Sequence, residues 1–359
     1  MKEMLNRFGN QVSVHISGRV SVGLLMLLLL PVYASAQVGG ASGIQSRLFM
    51  SSFERALGSV VTSSSYTENP LYVTLNPSAA RSQGQQWSAL MQTSTLPFDR
   101  SHHRLSLQTP LDERLGIRIH LGQYRVGDID GRSVSGYPTQ TYSTSESMVG
   151  VQFGLSITET LDAGLGISWH HSSLYPDLDA ATTIGLDVGL QSRVTDRYTW
   201  MVVAKDLLAS YRWTTGSLSG ANQEGSIRQG FERRYIFGHT FALQSVQFHH
   251  SVTLSTQSMR QSPVSQLSDN GLIIRQSSET NARAVSTSLG LDWAAHSQFR
   301  VQLGLHSTPF SEIETSWKGS GGFMLDLPDV PLVDQFHYAL WSEHPEIGFA
   351  HTFSLTFSL

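Results

Sequence analysis

No cysteine occurs among the 359 residues. That absence removes a disulfide framework, thiol chemistry, cysteine-ligated metals and a lipid-anchored amino terminus together. Charge is scarce as well: Asp, Glu, Lys and Arg make up 14% of the chain, and 24 basic residues against 28 acidic ones leave a formal net charge of −4. A mildly acidic chain repels phosphate backbones, which excludes nucleic acid as a partner. Apolar residues reach 40%. That is too little for a helical membrane protein, while the charge is too low for an ordinary soluble domain. An apolar face repeating every second residue reconciles the two, because averaging along the chain hides it.

Long apolar runs are missing except near the start. Residues 22–32, with Leu24 to Leu30 broken only by Met26, follow Lys2, Arg7 and Arg19 and lead to Ala34-Ser35-Ala36. The run falls well short of the roughly 20 residues a spanning helix requires, and Pro31 interrupts it. The pattern predicts a secretory leader over residues 1–36, cleaved near Ala36.

What the chain does have is alternation. At the carboxy-terminal end Phe349, His351, Phe353, Leu355, Phe357 and Leu359 face one way, and Ala350, Thr352, Ser354, Thr356 and Ser358 the other. A strand sends successive side chains to opposite sides, so this segment sets a greasy face against something apolar and a small polar face against something wet. The same pattern returns at 115–122, 149–158, 163–170, 184–191, 235–243, 285–293 and 299–305, and more weakly around Trp87, Leu105, Trp200, Phe248, Phe323 and Tyr338. The chain beyond the leader, at about 23 residues per strand and connection, accommodates roughly fourteen strands. Connections alternate too. Tight turns are expected at 110–114, 159–160, 194–197, 244–245, 294–297 and, somewhat longer, 328–333; long polar loops are expected at 127–145, 172–181, 210–230, 255–281 and 307–315. Short turns on one side and long loops on the other are the habit of outer-membrane barrels. The expected fold is therefore all-β: a transmembrane antiparallel β-barrel of about 14 strands over residues 83–359, with a lead-in and hatch segment over 37–82 that does not alternate.

Fourteen histidines invite a metal site, and three adjacent pairs stand out: His102-His103, His170-His171 and His249-His250. Neighbours on a strand point to opposite faces, so no such pair chelates as a unit, and no metal is expected. No G-x-S-x-G elbow is present, and Gly164-Leu165-Gly166 continues an alternating strand instead of opening a helix, so no phosphate loop is formed. Neither a catalytic residue nor a cofactor is expected. The polar side of the strands, rich in Gly, Ser, Thr and Gln, is the expected lumen. Arg118, His120, Gln152, His170 and Asp187 are its candidate residues, with Arg118 and the two histidines as candidates for one polar network. Leu71, Tyr72, Val73 and Leu75 are candidate occupants of the lumen; the alternative is an irregular lead-in outside the barrel.

Arg55-Ala56-Leu57-Gly58, followed by Asn76-Pro77-Ser78-Ala79, resembles the amino-terminal signature of the PorV/PorQ-like outer-membrane proteins, relatives of the FadL-type barrels. The resemblance extends to 203–213 and to the last two strands, although Ser59 to Ser65 and Asp206 depart from the family pattern. It implies a hatch packed inside the barrel, with Arg55, Ala56, Leu57, Gly58, Asn76 and Pro77 as its signature. It also implies either an accessory or shuttle role in type IX-like protein export, with secretion-system components or exported proteins as partners, or a FadL-like channel for hydrophobic small molecules with an apolar lumen pocket. Outer-membrane lipid and the barrel-assembly machinery are partners under both, in the outer membrane of a Gram-negative bacterium. The chain's end resembles the carboxy-terminal assembly signal of such barrels, carried by Phe353, Leu355, Phe357 and Leu359. Deleting residues 357–359 is expected to deplete the protein from outer-membrane fractions, read as loss of the heat-modifiable band; an undiminished band would sink the assignment.

Overall fold

The computed structural model describes residues 42–62, 69–81, 87–175, 178–214, 226–260, 264–267, 273–276, 279–309, 315–344 and 348–358. The expected leader, the first part of the lead-in, Ser82 and Leu359 lie outside them. Fourteen strands close into one antiparallel barrel. In chain order the first seven are β1 (Ser88–Leu96), β2 (Arg100–Pro110), β3 (Leu115–Arg132), β4 (Pro138–Ser156), β5 (Leu161–Ser173), β6 (Ala181–Thr195) and β7 (Tyr198–Lys205). A side hairpin, β8 (Ser210–Thr214) with β9 (Ser226–Gly230), precedes β10 (Arg233–Leu243) and β11 (Val246–Arg260). A second, β12 (Val264–Leu267) with β13 (Ile273–Gln276), precedes β14 (Glu279–His296), β15 (Phe299–Pro309), β16 (Thr315–Asp326), β17 (Val333–His344) and β18 (Gly348–Ser358). The last strand pairs with the first, from Ser88 opposite Ser358 to Thr95 opposite His351.

The period-two segments are these strands, and the tight turns fall where the sequence places them. Two of the expected loops are shorter than the sequence suggests. Residues 127–132 and 138–145 continue β3 and β4 beyond the neighbouring strands as a tall hairpin, and 255–260 and 279–281 extend β11 and β14. Polar residues occupy most positions of 127–132 and 138–145, so alternation of hydrophobicity fades while the backbone ladder persists. The first connection also breaks the long-loop rule. Pro97, Phe98 and Asp99 join β1 to β2 at the long-loop end in a three-residue turn, with Leu96 paired to Arg100 and φ of 63° and 52° at Phe98 and Asp99.

Alternating burial defines two faces. Outside are Ile119, Phe153, Leu165, Ile167, Trp169, Leu289, Leu303 and Phe353, all exposed. Inside are Gln108, Arg118, Gln152, Asp187, Gln302 and His337, all buried. A closed ladder leaves no strand edge to satisfy, and the apolar exterior requires a non-aqueous surrounding, so the barrel spans a membrane. Ile167, the midpoint of β5 and 48% exposed, samples that surrounding. Ile167→Arg is expected to cost roughly 2–4 kcal/mol by denaturant titration in a bilayer, against little for Ile167→Leu; equal stability would contradict the assigned face.

Candidate functional site: the filled lumen and its cleft

The described residues of 42–81 belong to no barrel strand. They form two short helices, Ile44–Leu48 and Ser52–Ala56, and two 3-10 turns, Pro70–Tyr72 and Pro77–Ala80. Ser51 and Glu54 make a reciprocal capping box at the second helix, which satisfies amide groups that no preceding turn supplies. The Glu54 carboxylate, fully buried, also accepts from the Thr74 amide at 3.0 Å. One side chain thus ties the helix to the strand-free stretch 20 residues on. Asn76 is extended (φ −95°, ψ 110°) before Pro77 and its side chain accepts from Ser78 N. That is the bend a residue before proline adopts.

This segment sits against the inner wall on all sides. Arg118, 1% exposed, donates to the Val73 carbonyl (2.7 Å), the Ala79 carbonyl (3.0 Å), Gln108 Oε1 (2.8 Å) and Gln152 Oε1 (3.0 Å). Gln152 in turn donates to the Thr74 carbonyl. Across the barrel, Ser320 Oγ donates to the Ala56 carbonyl at 2.9 Å, and Gln92 takes the Ser52 amide and gives to the Met50 carbonyl. Close approach needs walls without side chains. A Cβ at Gly164 would lie 2.1 Å from Ser78 N, and one at Gly304 only 1.9 Å from the amide of Gly58, itself in a left-handed conformation (φ +77°). Ala56 and Leu57 are fully buried, Leu57 packing with Phe53, Val60, Leu71 and Tyr72.

Charge closes the long-loop end. Asp206, in a left-handed turn (φ 57°) after β7, accepts from Arg234 Nη2 (2.9 Å) and Ser46 Oγ (2.6 Å), and Arg234 also donates to the Ser46 carbonyl. Asp187 pairs with Lys205 at 2.5 Å and accepts the Asp206 amide. These ions are buried, where loss of one partner costs about 3–5 kcal/mol. Asp206, the residue that departs from the expected pattern, holds the first helix together with Glu146, which accepts the Gln45 amide at 3.0 Å.

The sequence-derived candidates therefore separate. Arg118 and Gln152 meet at the floor, and Asp187 joins the charged group, while His120 packs on Phe49 (ring centroids 4.7 Å apart) and His170 on Phe231 (5.1 Å). The polar network expected for Arg118 and the two histidines is replaced by Gln108, Gln152 and main-chain carbonyls. Each histidine pair is split by the wall: His102, His170 and His249 are buried, and His103, His171 and His250 are not. Of the terminal signal candidates, Phe353 is exposed and Leu355 and Phe357 are half-buried on the outer face.

The segment does not fill the lumen. A cleft of about 260 Å³ remains between residues 47–61 and the wall from β10 to β17. Arg55, Ser59, His306, Lys318, Ser320, Trp341 and Glu343 line it, along with Leu48, Met50, Val61 and Ile236. Sequence reasoning missed Lys318, Trp341 and Arg234, whose strands alternate weakly or were read from their outward residues. Arg55 stacks on Trp341, its guanidinium carbon 4.2 Å from the ring centre, and burial pushes it down to about 10. A larger hollow, about 500 Å³, lies on the outer face between Met91, Leu105, Leu121 and Phe353, and opens toward lipid.

No protein-family model and no curated protein matches the chain. Solved structures do. The Pseudomonas putida toluene transporter TodX superposes with a TM-score of 0.57 at 11% identity, covering 86% of this chain and 98% of that one. A Pseudomonas aeruginosa FadL homologue gives the same values, and the Ralstonia pickettii toluene transporter TbuX gives 0.54 at 8% identity over 86% and 98%. The shared feature is the fold, that of a closed transmembrane β-barrel. The expected PorV/PorQ kinship, and with it the type IX secretion role, is corrected by these matches. Short motifs such as Arg55 to Gly58 and Asn76-Pro77 suit any segment that must turn tightly against glycine-lined strands, so they do not single out one branch of plugged barrels.

Single cysteines at Tyr72 and Leu75 are expected to label slowly from the short-turn side, and one at exposed Glu113 fast. Adding Gly164→Val should speed labelling at Leu75 by displacing residues 77–81. Equal rates at all three positions would mean that the segment lies outside the barrel.

Proposed function

We propose that the protein is a non-enzymatic channel of the outer membrane of a Gram-negative bacterium that admits small hydrophobic molecules, the kind of solute carried by the toluene transporters whose fold it shares. The supporting observation is a lumen closed by its own amino-terminal segment yet retaining a cleft that opens between that segment and the wall. In this reading residues 1–36 are removed on export and residues 37–82 act as the hatch. Arg55 to Gly58 and Asn76-Pro77 seat it, the terminal strand addresses the chain to the barrel-assembly machinery, and lipid surrounds the outer face. Arg118 holds the hatch floor and Asp187 its charged rim, so a solute passes only when part of 42–81 shifts.

The test is uptake of labelled toluene by vesicles containing the purified barrel. Uptake is expected to exceed that of protein-free vesicles, to saturate, and to fall when a cysteine pair tethers residue 75 to the wall. Uptake equal to that of protein-free vesicles would overturn the reading.

A further inference from the structure

A polar pair stands where the outer face should be most apolar. On β10 the outward residues between positions 235 and 243 are apolar or aromatic except His239 at their middle, and on β11 those between 246 and 254 are apolar except His250 at theirs. A tilted strand crosses the hydrocarbon in about 9–11 residues, so both histidines lie near its midplane. Elsewhere the middle of a strand's outer face is apolar, as at Ile167 on β5 and Leu303 on β15, both exposed. The two histidines are directly opposite in the ladder, and His239 Nε2 lies 2.9 Å from His250 Nδ1. His250 Nε2 continues to Thr287 Oγ1 on β14 at 3.5 Å. This chain of polar groups stops at His239 Nδ1, which meets no hydrogen-bond partner among the described residues; Tyr198 and Phe237 flank the ring at centroid distances of 6.0 and 6.1 Å. Neither tautomer repairs the deficit. If His239 donates to His250 its Nδ1 is a bare acceptor, and if it accepts, Nδ1 holds a proton with nowhere to place it.

At that depth neither water nor a lipid headgroup is within reach, so the missing partner is another membrane-embedded protein group. Depth and chemistry single out one. Every copy of the chain inserts in the same direction, so a two-fold axis along the membrane normal sets each residue level with itself. Imidazole both donates and accepts, and is therefore its own complement, as a carboxylate or an ammonium is not. We infer that two copies of this chain associate side by side through the outer faces of β10 and β11, with His239 of one copy donating to His239 of the other. The aromatic residues beside it, Trp200 and Phe241, cover the contact but do not drive it, because apolar side chains gain little by leaving lipid for one another. The contact requires only that the barrel span a membrane, and it holds whatever solute the lumen admits.

The chain has no cysteine, so single cysteines report cleanly. Full-length barrels carrying Glu113→Cys on a short turn, half labelled with an energy donor and half with an acceptor, are mixed in lipid vesicles, and transfer is followed as lipid is added. Transfer is expected to persist on dilution. His239→Leu should weaken association about tenfold or more, while His239→Gln, which keeps a donor and an acceptor at that depth, retains it. Heat-modifiable migration identifies the variants that keep the barrel. In otherwise unaltered barrels, Phe241→Cys should form disulfide-linked pairs under mild oxidant, and Leu303→Cys, on β15, should not. Transfer in the parent barrel that falls on dilution as it does for non-interacting barrels, association of His239→Leu equal to that of the parent, or cross-linking at Leu303 instead of Phe241 would each overturn the inference.

Discussion

Everything in this molecule depends on the pairing of β1 with β18. In hydrocarbon no water is present to satisfy a free strand edge, and closure removes both edges at once. Closure of fourteen strands also fixes the girth, and a barrel of that size encloses more space than its own inward side chains fill. The amino-terminal segment occupies that space, but it brings irregular backbone whose amides and carbonyls need partners. The wall supplies them: Arg118, Gln92, Gln152 and Ser320 spend their donors on main-chain carbonyls of the segment. The polar inner face is thus a set of backbone partners for a guest as much as a lining for water.

Much of the barrel was legible in period-two alternation, because the bilayer demands an apolar exterior and the lumen tolerates polarity. Phe153 and Gln152 announce their faces by chemistry alone. The signal fails where both faces are polar, as at the tops of β3 and β4, and there strands read as loops. It also fails for partnership. Alternation gives the side of the wall on which Arg118 stands but not what stands opposite. That Arg118 meets Val73 and Ala79, or that Asp206 meets Ser46 across 160 positions, is set by closure and by the path of the inner segment. The cleft was the least legible part. It is assembled from Arg55 in the guest and from Lys318 and Trp341 in β16 and β17, strands whose pattern is weak. Likewise the short motifs that suggested a secretion accessory report local bends of the inner segment and not a partner.

The charges inside differ in kind. Asp206–Arg234 is a matched pair that also holds Ser46 of the guest, and Asp187–Lys205 joins β6 to β7 within the wall, whereas Arg55 is stacked on an indole. Matched pairs fix position at the expense of flexibility, since breaking either leaves a buried charge without compensation. The stacked guanidinium also donates to Ser59 Oγ at 3.3 Å and to the Arg47 carbonyl at 3.4 Å. One lumen therefore holds its cations in two ways, by carboxylates and by an indole face.

The seat of the inner segment also orders events in time. Ser52 meets Ser354 across 302 positions and Ala56 meets Ser320 across 264, so the first part of the folded chain to be synthesised rests on some of the last. Contacts of such separation form late, because the intervening chain must be closed before they repay its entropy. A chain halted before β18 would hold a guest without its Ser354 partner and β1 with an unpaired edge. Seating of the segment and sealing of the seam then become one event, and a barrel that closes around an empty lumen has lost the wide lateral opening through which its own beginning could fold into place.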